Sequence, residues 1–464
     1  MGERELVGLA GAVALLLLIL LRIPVVLSML IVGIGGNYAL SIVAPFLRFD
    51  AWARQFKSLL WETVANYDLT VIPLFVLMGY AAAHAGLSRD LFGGVRALVG
   101  RLRGGLAMSA IVGCAGFGAV CGSSVATAST MGRIALPELA RAGYAPGFSA
   151  GALAAGGTLG ILIPPSVALV IYAIVVEASI MELFRAALVP GLIAVAFFLA
   201  VIRLYVWYRP EAAPPVPPID RAERRRLLRN FIPVVAIFSG IILGLGLGLF
   251  APTPAAGVGA ATVIAYGFLR RPSDDGSRLR WPELRQALQE TAVTSGMIYA
   301  LLFGGAVLTG FFARSGLPMA LADWAATTTQ SPYAILALCL LGLIVMGCFL
   351  ESLSMIVVVV PFLWPVLMAV NGGEFVTADQ AAFGLDTDQL RLWFGILMLI
   401  VVELGLITPP VGINVFIISA LTPATPMGQI FAGTGLFFAA EIVRVVLLVT
   451  TPWLVLAVPA MLAP

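Results

Sequence analysis

The sequence predicts an all-α polytopic membrane protein built from an inverted repeat, with two re-entrant helical hairpins and two broken helices. Of its 464 residues, 61% are hydrophobic and 11% are charged, whereas soluble domains are about 45–50% apolar and about 25% charged. Apolar stretches of about 20 residues, which suffice to cross a bilayer, recur along the chain. The stretch LGILIPPS at 159–166 places two prolines inside one of them, and LGLITPPVG repeats this pattern in the second half.

Apolar segments of spanning length predict about ten crossings. They lie near 6–22, 24–44, 71–87, 149–176, 183–207, 231–250, 254–270, 291–315, 391–420 and 430–458. The first is predicted to be an uncleaved span and not a signal peptide, because MGERE before it is not a basic n-region. Two more apolar stretches, 105–139 and 333–369, contain a Gly/Ser interruption at mid-length. This pattern predicts re-entrant hairpins, and a full double crossing is the alternative.

Three arginine-rich loops, at 88–104, 209–230 and 270–286, predict the orientation of the chain. The positive-inside rule places them in the cytoplasm. Counting crossings outward from them then places both termini and the acidic loop 371–388 outside. The segment 49–68 also lies outside, where its mixed aromatic, charged and apolar pattern predicts a helix lying in the membrane interface. A short external loop is the alternative for that segment.

An internal repeat is found on either side of the proline-rich piece EAAPPVPPIDRAERRR. Matching stretches align Pro24 with Pro254, Gly86 with Gly316, Ser123 with Ser352 and Pro164 with Pro409. The offset is 229 or 230 residues for the first three pairs and 245 for the last, because the second half has gained the acidic outer loop. The crossing count makes the two copies antiparallel, and such inverted repeats bind substrate and coupling ions at the midplane where the copies meet.

The paired prolines predict where this site lies. Pro164 and Pro165 remove two backbone donors and clash with the preceding turn, so the helix should unwind around Gly160–Ile163. Freed carbonyls cost several kcal/mol each in hydrocarbon, and such a break persists only where it is buried in protein or lines a polar cavity. We therefore predict a site formed by four elements, namely the hairpin tips at 116–127 and 346–354 and the breaks at 158–166 and 404–414.

Carbonyls and hydroxyls at these four elements suit a hard monovalent cation, and half-helix N-termini suit an anionic substrate. For Gly122, Ser123 and Ser124 the alternative is close packing of small residues between membrane helices. Glu351 lies deep in an apolar stretch, where an ionisable residue is costly and is a functional candidate; a structural acid is the alternative. Glu403 and Glu441 are at neither a tip nor a break, and we predict that both are structural.

Other chemistries find little support in the sequence. A P-loop motif is absent, so an ion gradient is predicted as the driving force in place of ATP. Four cysteines without CxxC spacing and a single histidine, His84, indicate neither a disulfide framework nor a metal-dependent enzyme. The formal charge of +3 comes from loops that set orientation, so no nucleic acid is expected as a partner. We predict no enzymatic activity and no organic cofactor.

Several longer stretches resemble the large membrane subunit of TRAP (tripartite ATP-independent periplasmic) transporters. They are GFGAVCGSSVATASTMGRIALPELARAGY, FSAGALAAGGTLGILIPPSVALVIYA, TPAAGVGAA, GCFLESLSMIVVVVP and LGLITPPVGINVF. The resemblance implies an elevator-type transporter in the bacterial inner membrane, driven by sodium and importing an organic acid anion, a C4-dicarboxylate or a related carboxylate. It also implies two partners, a small four-span membrane subunit and a periplasmic substrate-binding protein. Both termini would then be periplasmic.

The resemblance also implies site residues. The first sodium site would comprise Gly122, Ser123 and Ser124 with backbone at Thr158, Gly160 and Ile163, and the second would comprise Ser352, Ser354, Gly405, Thr408 and Val411. Substrate would lie near Cys121, Ser124, Ser166, Glu351 and Asn414. The family often has Ser in place of Cys121 and Asp in place of Glu351, and both departures fall in the substrate pocket.

The chain divides accordingly into five parts. These are scaffold helices and an interfacial arm at 1–70, a first transport repeat at 71–207, a cytoplasmic linker at 208–230, scaffold helices at 231–290, and a second transport repeat at 291–464. The alternative function is a self-sufficient sodium/dicarboxylate symporter that needs no binding protein. A channel or a membrane scaffold is disfavoured, because neither requires paired broken helices. A membrane enzyme is disfavoured because it would need a nucleophile and a base, and the chain has a single histidine.

Overall fold

The computed structural model of the chain describes residues 2–217, 219–270, 278–328 and 331–462, and within these ranges it is helical with no β-strand. Pro218 and 271–277, which belong to two of the predicted basic loops, lie outside the described residues. The long apolar helices expose much of their surface, as expected for spans that face lipid. The chain is therefore an all-α, multi-pass membrane protein, as predicted.

The first half of the chain contributes eleven of the described helices. They are α1 (Glu3–Leu20), α2 (Val25–Val43), α3 (Phe49–Arg54), α4 (Phe56–Val64), α5 (Val71–His84), α6 (Leu87–Val99), α7 (Gly105–Cys121), α8 (Ser124–Arg141), α9 (Pro146–Leu162), α10 (Val167–Val176) and α11 (Ile180–Tyr208). Short 3-10 turns at Tyr67–Thr70 and Pro210–Ala212 precede α5 and follow α11. The predicted interfacial segment 49–68 is thus helical, although it forms two short helices and a turn.

The second half contributes ten described helices in a matching order. They are α12 (Arg221–Gly246), α13 (Pro252–Leu269), α14 (Trp281–Ser315), α15 (Leu317–Thr328), α16 (Pro332–Gly347), α17 (Ser352–Asn371), α18 (Thr387–Gly405), α19 (Ile413–Leu421), α20 (Met427–Thr450) and α21 (Trp453–Met461). The order hairpin, broken helix, long helix occurs in α7–α11 and again in α16–α20. The sequence repeat is therefore a repeat of structure.

The helix α12 begins ten residues before the predicted span at 231–250. Asp220 caps it, accepting a hydrogen bond from the Ala222 N–H at 3.3 Å, and the arginines that follow are good helix formers. The irregular part of the predicted linker at 208–230 is consequently shorter than expected and ends at Asp220. The arginine-rich run is the first part of a helix.

Length and composition identify seven spanning helices among the described residues, or eight if α9 and α10, bent by 48°, count as one. This is fewer than the ten predicted. Among the predicted spans, α1 has three charged residues in its first turn, α13 is rich in glycine and proline, and the second broken helix is divided by residues 406–412. The seven include α17, so length alone leaves the second predicted hairpin, 333–369, open to either topology.

The hairpins and broken helices form the inside of the molecule. Nearly every residue of α9, α10 and α18 is buried, whereas α1 and α12 expose most of their apolar surface. The two halves are interlocked, since α10 packs against α17 of the second hairpin and α19 packs against α8 of the first. This exchange brings both tips and both breaks together in the interior.

Candidate functional site

The first break lies at 163–166, slightly beyond its predicted position. The helix α9 continues to Leu162, and Ile163 is the first extended residue. Gly160 is therefore helical, contrary to the prediction that the chain unwinds there. The reason is that Pro164 and Pro165 would have donated to the carbonyls of Gly160 and Ile161, and the last four carbonyls of any helix lack intrahelical partners without unwinding.

The second break is longer and is organised as a turn. The N–H groups of Leu406, Ile407 and Thr408 donate to carbonyls three residues back, at 3.1–3.2 Å. Gly412, at φ +59°, then allows the chain to enter α19. The hydroxyl of Thr408 donates to the Leu404 carbonyl at 2.5 Å, and its lone pairs remain available to a cation. Val411 lies in the same turn.

The tip of the first hairpin contacts the first break. Gly122 is left-handed at φ +62°, and a Cβ placed on it would lie 3.1 Å from the Val167 backbone nitrogen. The Ser123 hydroxyl caps α8 by accepting from the Ala126 N–H at 3.3 Å. On the other side, Cys121 meets α5, because a Cβ on Gly79 would lie 2.9 Å from the Cys121 Cα. Cys121 thus lies where the hairpin meets the outer helices.

The tip of the second hairpin contacts the second break in a corresponding way. The Cys348 thiol donates to the Pro409 carbonyl at 3.6 Å. Glu351 is the residue immediately before α17, is partly exposed, and accepts from the Ser354 hydroxyl at 3.4 Å. Glu351 and Ser354, predicted respectively for substrate and sodium, therefore bond to each other at one tip.

Two glycine pairs set the spacing between each hairpin and its broken helix. A Cβ on Gly118 would lie 2.2 Å from the Gly160 Cα, and a Cβ on Gly405 would lie 2.5 Å from the Gly347 backbone. The repeat aligns Gly118 with Gly347 and Gly160 with Gly405. Each half therefore uses the same glycine crossing to bring its tip and its break together.

The centre of the site is occupied by Glu403, which the sequence analysis placed away from tips and breaks. Its side chain is buried, and its two carboxylate oxygens accept from the Ser124 hydroxyl at 2.5 Å and from the Ser352 hydroxyl at 2.6 Å. The prediction that Glu403 lies away from the tips is wrong. The repeat contained the signal, because Glu403 aligns with Thr158, a predicted site residue.

Glu441, the other glutamate predicted to be structural, pairs with Arg444 within α20, as expected. Both side chains are buried, and Arg444 also donates to the Pro190 carbonyl of α11 at 3.1 Å. This pair therefore joins the two long helices α11 and α20 and does not reach the tips.

Further oxygens near the first break are suited to a cation. Among the described residues, Thr127 Oγ1 and Asn414 Oδ1 are buried without a hydrogen-bond partner. Thr127 Oγ1 lies 2.8 Å from the position of a Cβ on Gly160, while Asn414 donates to the Ala154 carbonyl at 3.3 Å. Neutral oxygens with free lone pairs are the ligands that a hard cation binds, so the residues present fit sodium. Thr127 was not among the predicted ligands.

The remaining predicted residues hold local structure. The Thr158 hydroxyl donates to the Ala155 carbonyl of its own helix at 2.6 Å. The Ser166 hydroxyl caps α10, accepting from the Leu169 N–H at 3.4 Å, and is fully buried. The structure thus brings Ser124, Ser352 and Asn414 to the interior, whereas Cys121 and Glu351 lie towards its edges.

Helix ends also converge at this site. The helices α7, α9, α16 and α18 end at the tips and breaks, and α8, α10, α17 and α19 begin there. The C-termini carry partial negative charge and the N-termini partial positive charge. One compact region thus offers favourable sites to both a cation and an anion.

Fold and site together define a multi-pass helical membrane protein with two helix breaks that meet at one centre. A family model described as "Tripartite ATP-independent periplasmic transporter, DctM component" matches residues 12–454. The chain belongs to this family, and the resemblance seen in the sequence is confirmed.

Two named relatives and a solved structure agree with this assignment. The C4-dicarboxylate TRAP transporter large permease protein of Pseudomonas aeruginosa is 32% identical, over 92% of this chain and 93% of that relative. The isethionate TRAP transporter permease protein DctMQ of Oleidesulfovibrio alaskensis is 29% identical, over 85% of this chain and 58% of that relative. The crystal structure of the Alcanivorax borkumensis YdaH transporter shares the fold, with a TM-score of 0.58 at 15% identity over 89% of this chain and 90% of that one.

Proposed function

We propose that this chain is the large transmembrane subunit of a sodium-driven TRAP transporter of the bacterial inner membrane. It imports an organic acid anion, a C4-dicarboxylate or a related carboxylate, delivered by a periplasmic binding protein. The observation that carries the proposal is the convergence of two hairpin tips and two helix breaks in the interior. Helix breaks at corresponding positions of a repeat are typical of secondary transporters.

The charge of the site supports both ligands. The N-termini of α10 and α19, at Val167 and Ile413, favour an anion. The C-termini of α9 and α18, at Leu162 and Gly405, favour a cation. The names of the two relatives specify C4-dicarboxylate and isethionate, which are both small organic anions. For this chain we propose the same class of substrate and sodium as the coupling ion.

The burial pattern supports an elevator mechanism. In this mechanism the hairpins and broken helices move as one body, past a scaffold of outer helices that includes α1, α2, α12 and α13. The inner body is interlocked by the contacts of α10 with α17 and of α19 with α8. Re-entrant hairpins and periplasmic termini belong to this proposal, because they place all the arginine-rich loops on one side of the membrane.

Two partners complete the proposed transporter. The chain covers only 58% of the isethionate relative, whose name joins two components as DctMQ. A separate small four-span subunit would supply the corresponding segment here. The alternative, a self-sufficient sodium/dicarboxylate symporter, has the same site and differs in needing neither that subunit nor a binding protein.

The test is uptake of radiolabelled succinate into proteoliposomes that contain this chain, its small subunit and a candidate binding protein. We expect uptake to require an inward sodium gradient and to cease when an ionophore collapses that gradient. Uptake that persists without the gradient would refute sodium coupling. Uptake by this chain alone would establish the symporter alternative.

A further inference from the structure

We infer that Glu403 couples the tips of the two hairpins and, through them, the two cation sites. The inference rests on the proposed function only in its second part. Glu403 lies on α18, while Ser124 and Ser352 lie on two different hairpins, and each serine donates to a different oxygen of the same carboxylate. One side chain therefore joins the tips of both hairpins.

The surroundings of Glu403 suit a carboxylate at this place. A buried charge is costly unless it is hydrogen-bonded, and both of its oxygens have donors at 2.5 and 2.6 Å. Ser124 and Ser352 are the first residues of α8 and α17. Two helix N-termini, each with partial positive charge, thus flank the carboxylate. Here the anion that these two N-termini stabilise is the side chain of Glu403 itself.

The bridging carboxylate comes from the second repeat. In the first repeat the aligned residue is Thr158, whose hydroxyl bonds to the Ala155 carbonyl within its own helix. Ser123, which aligns with Ser352, is used to cap α8. The bridge through Glu403 therefore has no counterpart at the aligned position of the first repeat.

The bridge has a consequence for cation binding. Ser124 belongs to the first proposed cation site and Ser352 to the second, and the other proposed ligands are neutral. If a cation shifts one tip when it binds, the hydrogen bond from that tip's serine to Glu403 changes. The carboxylate then moves, and its electrostatic effect on the other tip changes with it. Coupling between two sites is a reciprocal free energy. Glu403 thus acts as a positioning residue.

The test is a double-mutant cycle of Ser124→Ala and Ser352→Ala on the full chain with its small subunit in nanodiscs. The Tm is measured in choline chloride and then at rising sodium chloride, with total salt held constant. The stability cycle in choline chloride tests the bridge without sodium. The sodium concentration that gives the half-maximal rise in Tm tests the coupling of the cation sites.

With Glu403 present, we expect the two substitutions to be non-additive in both readouts. Their combined effect on the sodium midpoint should differ from the product of the single effects by roughly threefold or more, because the first substitution already breaks the bridge. In a Glu403→Met background, the combined effect of the two serine substitutions on the sodium midpoint should equal the product of their single effects. Multiplicative effects with Glu403 intact would overturn the inference.

A conservative variant separates the charge from the hydrogen bonds. In Glu403→Gln the carboxamide can accept from one serine and donate to the other, so the stability cycle should stay non-additive while the sodium midpoint rises severalfold. An unchanged sodium midpoint would refute the role of the charge, and this variant remains informative if Glu403→Met fails to fold. Ser109→Ala is the matched control, because the buried Ser109 bonds only to the Gly105 carbonyl of its own helix at 2.7 Å. A wild-type Tm that does not change with sodium would count against the proposed function. The double-mutant cycle in choline chloride would still show whether Glu403 couples the two tips.

Discussion

The two helix breaks share a proline pair and a preceding glycine, Gly160 or Gly405, but differ in their polar side chains. In the first, Ile163 is extended and Ser166 caps the next helix at once. In the second, Thr408 replaces Ile163, a turn follows, and left-handed Gly412 precedes α19. The repeat therefore conserves the device that opens the backbone, whereas both glutamates of the site, Glu351 and Glu403, lie in the second copy.

The two proposed cation sites are therefore unequal. The backbone can be copied because it depends on proline and on close glycine crossings, which act locally. Side-chain ligands are free to diverge, and the second copy has acquired both Thr408 and the bridging Glu403. Four predictions test this comparison, from the largest expected effect to the smallest.

The largest effect is expected from breaking the shared glycine crossings. Gly118→Ala and Gly405→Ala should abolish uptake and destabilise the chain, because their Cβ atoms would lie 2.2 and 2.5 Å from backbone atoms that cannot rotate away. Overpacking typically costs about 1–3 kcal/mol, and contacts with backbone fall at the upper end or beyond. Succinate uptake and Tm measure both effects.

Gly342→Ala is the control, since a Cβ on this glycine of α16 would meet no atom within 4 Å. Equal loss in Gly118→Ala and Gly405→Ala would support a device shared by both repeats. Normal uptake in either variant would show that this crossing tolerates a wider spacing, and would contradict its assigned role.

A smaller but selective effect is expected at Glu351. If its carboxylate accepts hydrogen bonds from donor groups of the substrate, such as hydroxyls, Glu351→Gln should raise the KM for a hydroxylated substrate by about ten- to hundredfold, because bonds to a charged group contribute about 1.5–3 kcal/mol. The sodium midpoint should change little. Initial uptake rates across substrate and sodium series separate the two effects.

Ser354→Ala serves as the control for the substrate KM alone, because it removes the 3.4 Å hydrogen bond at this tip and keeps the charge, and because Ser354 is itself a predicted sodium ligand. Should Glu351 have only a structural role, Glu351→Gln would lose stability and sodium response together, without a selective rise in the KM for substrate. That outcome would remove Glu351 from the substrate site.

Thr408→Val sharpens the comparison between the breaks. The substitution keeps the shape and removes a hydroxyl oxygen, so the sodium concentration for half-maximal uptake should rise about three- to tenfold, as expected for one neutral polar contact. Thr422→Val is the matched control, because Thr422 also donates to the carbonyl four residues back, at 2.9 Å, but lies beyond the break. An unchanged sodium response in Thr408→Val would exclude Thr408 from the site.

The smallest effect is expected in the acidic loop 371–388, the principal insertion of the second repeat relative to the first. Asp379 and Asp388 are exposed, whereas Asp386 caps α18 by accepting from the Gln389 N–H at 2.8 Å. We propose that the two exposed acids help to dock the binding protein. Asp379→Asn with Asp388→Asn should slow uptake less than about tenfold and most clearly at low salt, because exposed charges act on encounter rates and are screened beyond about 8 Å at physiological salt.

The control for this loop is Asp386→Asn, since asparagine is also a good cap and the helix start should be preserved. Uptake by the double variant that equals wild-type uptake at every salt concentration would show that these acids do not take part in docking. The loop itself is ordered by Asn371, which donates to the Leu385 carbonyl at 2.9 Å and accepts from the Phe383 N–H.

Much of this architecture could be predicted from the sequence because its causes are local. Apolar length marks the helices, and adjacent prolines end α9 near Leu162 whatever surrounds them. A serine before a helix, such as Ser123 or Ser166, identifies a cap from its own neighbours. The unwinding assigned to Gly160 was wrong by less than one turn, since free carbonyls at a helix end do not require an open backbone.

The tertiary structure alone decided which side chains meet. Ser124 and Glu403 are 279 residues apart, and Ser352 and Glu403 are 51 apart, so their shared hydrogen bonds exist only in the folded chain, where Glu403 of α18 reaches a serine of each hairpin. The choice between Glu351 and Glu403 as the central carboxylate likewise depends on burial, which follows from the exchange of α10 and α19 between the halves. Composition and spacing in the sequence determine where a membrane helix must break. The free energy of burying a charged side chain depends instead on the hydrogen-bond donors that surround it in the folded chain.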